Sequence, residues 1–206
     1  MLVVIGGHSR NIGKTSVVAG LIAALPERQW TAVKITQYGQ GVCGDHGAEC
    51  GCADPAHPFA VSEEHHCSSG TDTARYLAAG AARAFWVRTA MGQLGEALPE
   101  LRRIFAISGD VICESNSVLQ FLKPDVYVSV LDFGVADFKA SSLRFLDRAD
   151  AVLVHAAAEQ PVWRGVAQRL WQGKPRFEAH PPEYVPKGLV DFVSGRLAST
   201  GPAKGQ

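Results

Sequence analysis

Short, continuous apolar runs alternate along this chain with longer segments whose apolar residues recur at helical spacing. Residues 2–5, 30–36, 83–88, 110–113, 125–131 and 151–155 have the length and composition of strands, and the first is wholly apolar and ends in glycine. A strand with no polar face belongs inside a parallel sheet covered on both sides. Residues 16–25 read as a helix stopped by Pro26 and 71–79 as one closed by Gly80; further helices are expected over 91–106, 140–147, 162–171 and 187–196. The alternation predicts an α/β fold, a mainly parallel sheet with helices on both faces in three layers. Residues 37–70 break the pattern: they are rich in Gly, Cys, His and Pro, show no helical or strand period, and read as a long irregular insertion. With no internal repeat and no convincing linker, residues 1–199 are expected to form one domain, and the small, polar stretch 200–206 a frayed tail.

Composition narrows the class. With 206 residues, 47% of them apolar and 19% charged, the chain can bury a sizeable core. Twenty Lys and Arg cancel twenty Asp and Glu, so no net field draws the protein to nucleic acid or anionic lipid, and neither is an expected partner. The opening apolar run lacks a basic leader and is broken by Gly6 and Gly7, too short for a secretory signal or for the roughly 20 residues of a membrane helix. A cytoplasmic protein is expected, in which the five cysteines are thiols or metal ligands before disulfides.

The most informative stretch, Gly7-His8-Ser9-Arg10-Asn11-Ile12-Gly13-Lys14-Thr15-Ser16, joins the first strand to the first helix. In that setting the N–H groups of a tight loop and a helix N-terminus converge on an anion, and the helix dipole favours negative charge. Ser9, Arg10, Asn11, Ile12, Gly13, Lys14, Thr15 and Ser16 are therefore candidate contacts to the phosphates of ATP or GTP. Gly13 allows close approach, Lys14 reaches the β- and γ-phosphates, and the Thr15 hydroxyl coordinates Mg2+. The usual motif has four residues between its glycines; here Gly7 and Gly13 have five, which leaves His8 at the expected first glycine.

The loop resembles that of dethiobiotin synthetase, which also has five residues between glycines before Gly-Lys-Thr. Residues 2–155 are similar in layout to the P-loop NTPase group that contains this enzyme, the molybdopterin-guanine dinucleotide biosynthesis B-type protein and the nickel-insertion GTPases of hydrogenase and urease. Val33-Lys34-Ile35-Thr36 looks like the Lys-His-Thr that follows the second strand of the B-type protein. Thr71-Asp72-Thr73-Ala74-Arg75-Tyr76, followed by Ala79-Gly80-Ala81-Ala82, looks like that family's Asp-Ser-Tyr-Arg helix ending in Ala-Gly-Ala.

Asp110-Val111-Ile112-Cys113-Glu114 has the form of a buried strand delivering a carboxylate at its C-terminal end, where open α/β sheets bind ligands. Magnesium takes oxygen ligands, so one or two carboxylates beside a hydroxyl suffice. The resemblance places Glu114 at the magnesium or its water, as a catalytic group with Lys14, and makes Asp72 a second acidic contact. The plainer alternatives are a helix-capping role for Glu114 beside Asn116 and an ordinary first-turn acid for Asp72. Lys34 reads either as a phosphate or substrate contact or as a surface lysine. Cys113 reads as a small core residue.

In the GTPases of this group an Asn-Lys-x-Asp follows a late strand and selects guanine. The corresponding stretch here is Asp150-Ala151-Val152-Leu153-Val154, then His155-Ala156-Ala157-Ala158, an alignment supported by Asp137-Phe138-Lys139 and Arg148-Ala149-Asp150, which look like the nickel-insertion GTPases. The selecting aspartate is missing, so guanine specificity is unsupported. His155 stacks on a base or is structural, and the segment holding Pro181, Pro182 and Pro186 closes the pocket by analogy with the proline loop of dethiobiotin synthetase.

Cys43, Cys50, Cys52 and Cys67, with His46, His57, His65 and His66, crowd into the insertion. Thiolate and imidazole are good zinc ligands, and a long irregular loop needs something to order it, so a metal knot drawn from Cys43, Cys50, Cys52, Cys67, His46 and His65 competes with unligated thiols. The spacing Cys-x6-Cys-x-Cys-x14-Cys lacks the paired knuckles of common zinc folds, and leaves zinc, a transferable nickel and an iron–sulfur cluster open.

Three functions follow. The first is a nucleotide-dependent accessory protein of molybdenum-cofactor maturation, whose slow hydrolysis gates delivery to a partner protein. The second is a nickel or zinc metallochaperone with the insertion as metal store. The third is an ATP-dependent ligase of the dethiobiotin synthetase kind. The signature lysine of the group's dimeric ATPases falls at Ser9, next to Arg10, so slow turnover is expected, raised by homodimerisation or by a partner.

Overall fold

The computed structural model describes residues 1–38, 58–155 and 160–200. Wholly apolar runs occupy its centre because only there are both faces of a strand covered. In chain order the elements are β1 (Leu2–Gly7), α1 (Lys14–Ala24), β2 (Thr31–Tyr38), β3 (Phe59–Glu64), α2 (Asp72–Ala78), β4 (Arg83–Ala90), α3 (Leu98–Ala106), β5 (Val111–Glu114), β6 (Val126–Asp132), α4 (Ala140–Leu143), β7 (Ala151–His155), β8 (Arg176–Ala179) and α5 (Lys187–Thr200). The strands form one sheet in the order β3-β4-β2-β5-β1-β6-β7-β8, parallel throughout except for β3, which runs antiparallel to β4.

Alternate residues of one apolar strand feed different cores. Val3 and Ile5 pack with Val17, Leu21 and Ile22 of α1 and with Leu189 and Val193 of α5. Val4 points the other way, into a core with Leu101 and Ile104 of α3. Ile5, Leu21 and Ile22 are fully buried, each worth roughly 1.5–3 kcal/mol of apolar transfer. A third cluster joins Leu131, Val152 and Val154 to Trp163 and Trp171. The expected α/β architecture, with helices on both faces, is what the chain adopts.

Several local expectations change. The 37–70 stretch is not without regular structure: β2 runs on to Tyr38, and 59–64 form the edge strand β3. Its residues are all half-buried, so no alternation of apolar and polar side chains marks it. Residues 162–171 are not a helix; only Gln168–Leu170 turn, as a 3-10 element. Gly165 has a φ of +75° there, and Trp163 and Trp171 are drawn onto Phe133 with ring centroids 5.2 and 5.3 Å away. Strand β8 was not signalled, being four residues long with only Ala179 buried. Residues 91–106 divide into a 3-10 turn, Leu94–Ala97, and α3.

Candidate functional site

Strand β1 lies between β5 and β6, and the connection from β1 leads to β2 on one side while β6 to β8 build the other. The crevice at its C-terminal end is therefore a switch point of the sheet, and the glycine-rich loop opens there. Asn11 and Gly13 have φ of +56° and +79°, so the loop turns twice through the left-handed region. A Cβ on Gly13 would lie 2.5 Å from Cε1 of Tyr184, so both φ and space require glycine. The N-cap residue of α1 is Gly13, which has no side chain to cap the helix, so the first amides of α1 open toward the cleft.

Two distant residues and one of its own hold the loop. Asn116 brackets Gly7, accepting from its N–H at 2.9 Å and donating to its carbonyl at 2.8 Å. His155 is buried, with Nε2 2.9 Å from the Ile12 carbonyl. His8 is fully buried; its Nε2 accepts from the Asp132 N–H at 2.9 Å, so Nδ1 carries the proton and donates to the Asp137 carbonyl at 2.8 Å. The His8 ring stacks on Phe138 at 4.9 Å, and burial pushes its pKa below the ordinary value. The residue at the first-glycine position thus pins the loop to the segment after β6, as does Ser9, whose hydroxyl donates to Asp137 at 2.7 Å.

A cleft of about 290 Å³ is lined by Asn11, Ile12, Gly13, Lys14, Thr15, Ser16, Asp72, Arg75, Glu114 and Tyr184. Six of the eight loop residues singled out in the sequence line it; Ser9 is buried beneath and Arg10 is exposed beside it. The Lys14 ammonium donates to the Ser9 carbonyl at 2.6 Å. Its pKa is lowered to about 8, chiefly by burial, with Lys139 and Lys34 adding to the effect and Glu114 opposing it.

Parallel register places the acidic partner. Lys34 of β2 and Glu114 of β5 are directly paired, on the face that Ala32 and Ile112 present to α1 and α2. The Glu114 carboxylate accepts from Thr15 at 2.8 Å, from the Tyr76 hydroxyl and from Lys34 at 3.3 Å. Burial and this carboxylate hold the Tyr76 phenol well above its usual range. Glu114 caps no helix, since the turn that follows is held by Ser115, whose hydroxyl accepts from the Val118 N–H. Lys34 is no surface lysine either: its ammonium pairs with Asp72 and lies 3.4 Å from the Thr15 hydroxyl. Thr71 caps α2, accepting from the Ala74 N–H at 3.0 Å, and Asp72 turns its carboxylate to Lys34 and Arg75. Thr15, Glu114 and Asp72 offer only oxygen, the donor set of a hard divalent cation, and they already surround one positive charge, so a magnesium ion fits their chemistry.

Sequence reasoning assigned no site role to Arg75, Tyr76 or Tyr184. Arg75 Nη2 donates to Ser16 at 2.9 Å, and Tyr184 meets His155 edge-on at 5.6 Å. The signal for the first two was helical spacing, since they follow Asp72 by three and four positions. Tyr184 lies in the proline segment but is brought to Gly13 only by the fold. Cys43, Cys50, Cys52, His46 and His57 lie outside the described residues, while Cys67, His65 and His66 are exposed between β3 and α2. Among the described residues no three His, Cys, Asp or Glu side chains form a metal-binding group, and no helix is long and apolar enough to cross a membrane.

Fold and loop together define a class, the P-loop NTPase fold. Among solved structures the chain is similar to HypB from Helicobacter pylori in complex with nickel, at 16% identity and a TM-score of 0.50 over 99% of this chain and 91% of that one. LpxK from Aquifex aeolicus in complex with ATP gives 16% identity and a TM-score of 0.49 over 86% of this chain; our chain spans about half of LpxK's length, 53%. At such identity the likeness to HypB is one of fold. No family model matches the sequence, and no curated protein matches it.

Proposed function

We propose that the cleft binds a nucleoside triphosphate together with magnesium and hydrolyses it slowly. The observation that carries this is the convergence of Lys14, Thr15, Lys34, Asp72 and Glu114 at the uncapped N-terminus of α1. Lys14 leaves the Ser9 carbonyl for the β- and γ-phosphate oxygens, and the first amides of α1 bind the phosphate chain. Arg75, already beside Ser16, faces the α-phosphate end. Thr15, Glu114 and Asp72 would hold magnesium, which when bound neutralises charge on the phosphates. Glu114, held by hydrogen bonds from Thr15, Tyr76 and Lys34, is fixed as a metal contact, and turnover is slow because Ser9 stands where the group's dimeric ATPases carry their signature lysine.

Within that activity, we assign the protein to the accessory factors of molybdenum-cofactor maturation, with a protein client. The support is the lysine strand and acidic helix start that resemble the B-type protein, here joined by the Lys34–Asp72 ion pair. Calorimetry with ATP and GTP tests the nucleotide site: the parent should bind, and Lys14→Ala should not. Equal binding by both would end the assignment. Turnover that a molybdopterin-bearing protein leaves unchanged would count against the accessory role alone.

A further inference from the structure

The Lys34 ammonium stands among the same oxygens that a magnesium ion would need. It pairs with the Asp72 carboxylate and lies 3.3 Å from Glu114 Oε1 and 3.4 Å from Thr15 Oγ1. We propose that Lys34 is a tethered counter-ion that keeps free divalent cations out of this subsite, so that metal enters only with the nucleotide; this rests on the nucleotide reading above.

Three features argue for it. Glu114 is nearly buried, its side chain 7% exposed, and a carboxylate taken out of water requires a compensating positive charge. The direct pairing of Lys34 with Glu114 in the sheet fixes the stem of that charge on the correct face. And two cations cannot share Thr15 Oγ1 and Glu114 Oε1: at contact distances like charges repel strongly, the more so in a partly buried site. Free metal must therefore expel Lys34 with no new partner for the ammonium. A triphosphate supplies that partner, because the flexible lysine stem can turn from the carboxylates to the phosphate oxygens. Asp72 meanwhile keeps Arg75, 3.7 Å away, as a second cation. Lys34 thereby sets the order in which ligands bind.

Paramagnetic titration with Mn2+ tests this on the full chain. The parent should bind Mn2+ alone weakly and, with a non-hydrolysable triphosphate, roughly tenfold or more tightly. Lys34→Met should bind Mn2+ alone roughly tenfold more tightly than the parent, with a smaller gain from nucleotide. Lys34→Arg keeps the charge and should remain weak. Glu114→Gln added to Lys34→Met should cancel the gain, which locates the ion. If circular dichroism shows Lys34→Met unfolded, Lys34→Gln replaces it. A folded, neutral variant whose affinity for Mn2+ alone equals the parent's would overturn the proposal, as would a parent that binds the triphosphate yet binds Mn2+ no more tightly with it than without. Failure of the parent to bind any triphosphate would instead sink the nucleotide reading, while the comparison of variants in Mn2+ alone would still judge Lys34.

Discussion

The Thr15 hydroxyl donates to the Glu114 carboxylate at 2.8 Å, joining residues 99 positions apart where the first turn of α1 meets the end of β5. In Glu114→Gln the amide still fills the space and still accepts a hydrogen bond, but the charge is gone. Triphosphate binding is expected to stay within a few-fold of the parent, while magnesium-dependent hydrolysis falls by roughly 100-fold or more. Phosphate release measured across a magnesium series checks this, and undiminished release would remove Glu114 from the catalytic machinery.

Lys14 should make triphosphate binding depend on pH. Burial lowers its pKa from 10.5 to about 8, so above pH 8 the ammonium in this structure gives up its proton, whereas a bound triphosphate would restore it. Affinity should therefore weaken as pH rises through 8, and binding there should take up a proton that it does not take up at pH 6. Calorimetry in buffers of different ionisation enthalpy reads that uptake. The linkage to folding has the opposite sign: between about 8 and 10.5 the unfolded chain holds the Lys14 proton and the folded one does not, so its burial penalty eases as pH rises. Without nucleotide, Lys14→Met should be at least as stable as the parent at pH 7 in urea unfolding.

His8 is the residue whose identity looks least necessary for a phosphate loop, yet its ring joins the loop to Asp132 and Asp137. His8→Gly would recreate a glycine at that position but strand a buried N–H and a carbonyl and open a void beside Phe138 and Trp163. A loss of roughly 2–4 kcal/mol is expected. Because burial lowers the folded pKa, the contribution of His8 is complete above 6.5 and declines below it, where the unfolded chain gains a proton and the folded one resists. The denaturation midpoint of the parent should fall more steeply than that of His8→Gly as pH drops below 6.5; parallel curves would show that His8 is not the titrating group.

Much of this protein was legible in its order of residues. The mainly apolar stretches of β1, β5, β6 and β7 read as interior parallel strands, and Gly-Lys-Thr after the first of them as the start of a helix. Where periodicity carried no information, the reading failed. In 162–171 the spacing of apolar residues reflects two tryptophans inserted under Phe133 rather than one face of a helix. The edge strands β3 and β8 were not read: every residue of β3 is half-buried, and β8 alternates exposed and covered residues over only four positions, too few to stand out.

The local sequence determined the class of fold and the loop, since both follow from burial and backbone conformation over a few consecutive residues. Only the tertiary structure decided that Lys34 faces Glu114, that Tyr76 donates to the same carboxylate, that His155 supports Ile12, and that Tyr184 covers Gly13. These contacts depend on strand order and register, which set which distant side chains share a cleft, and no run of neighbouring residues encodes them.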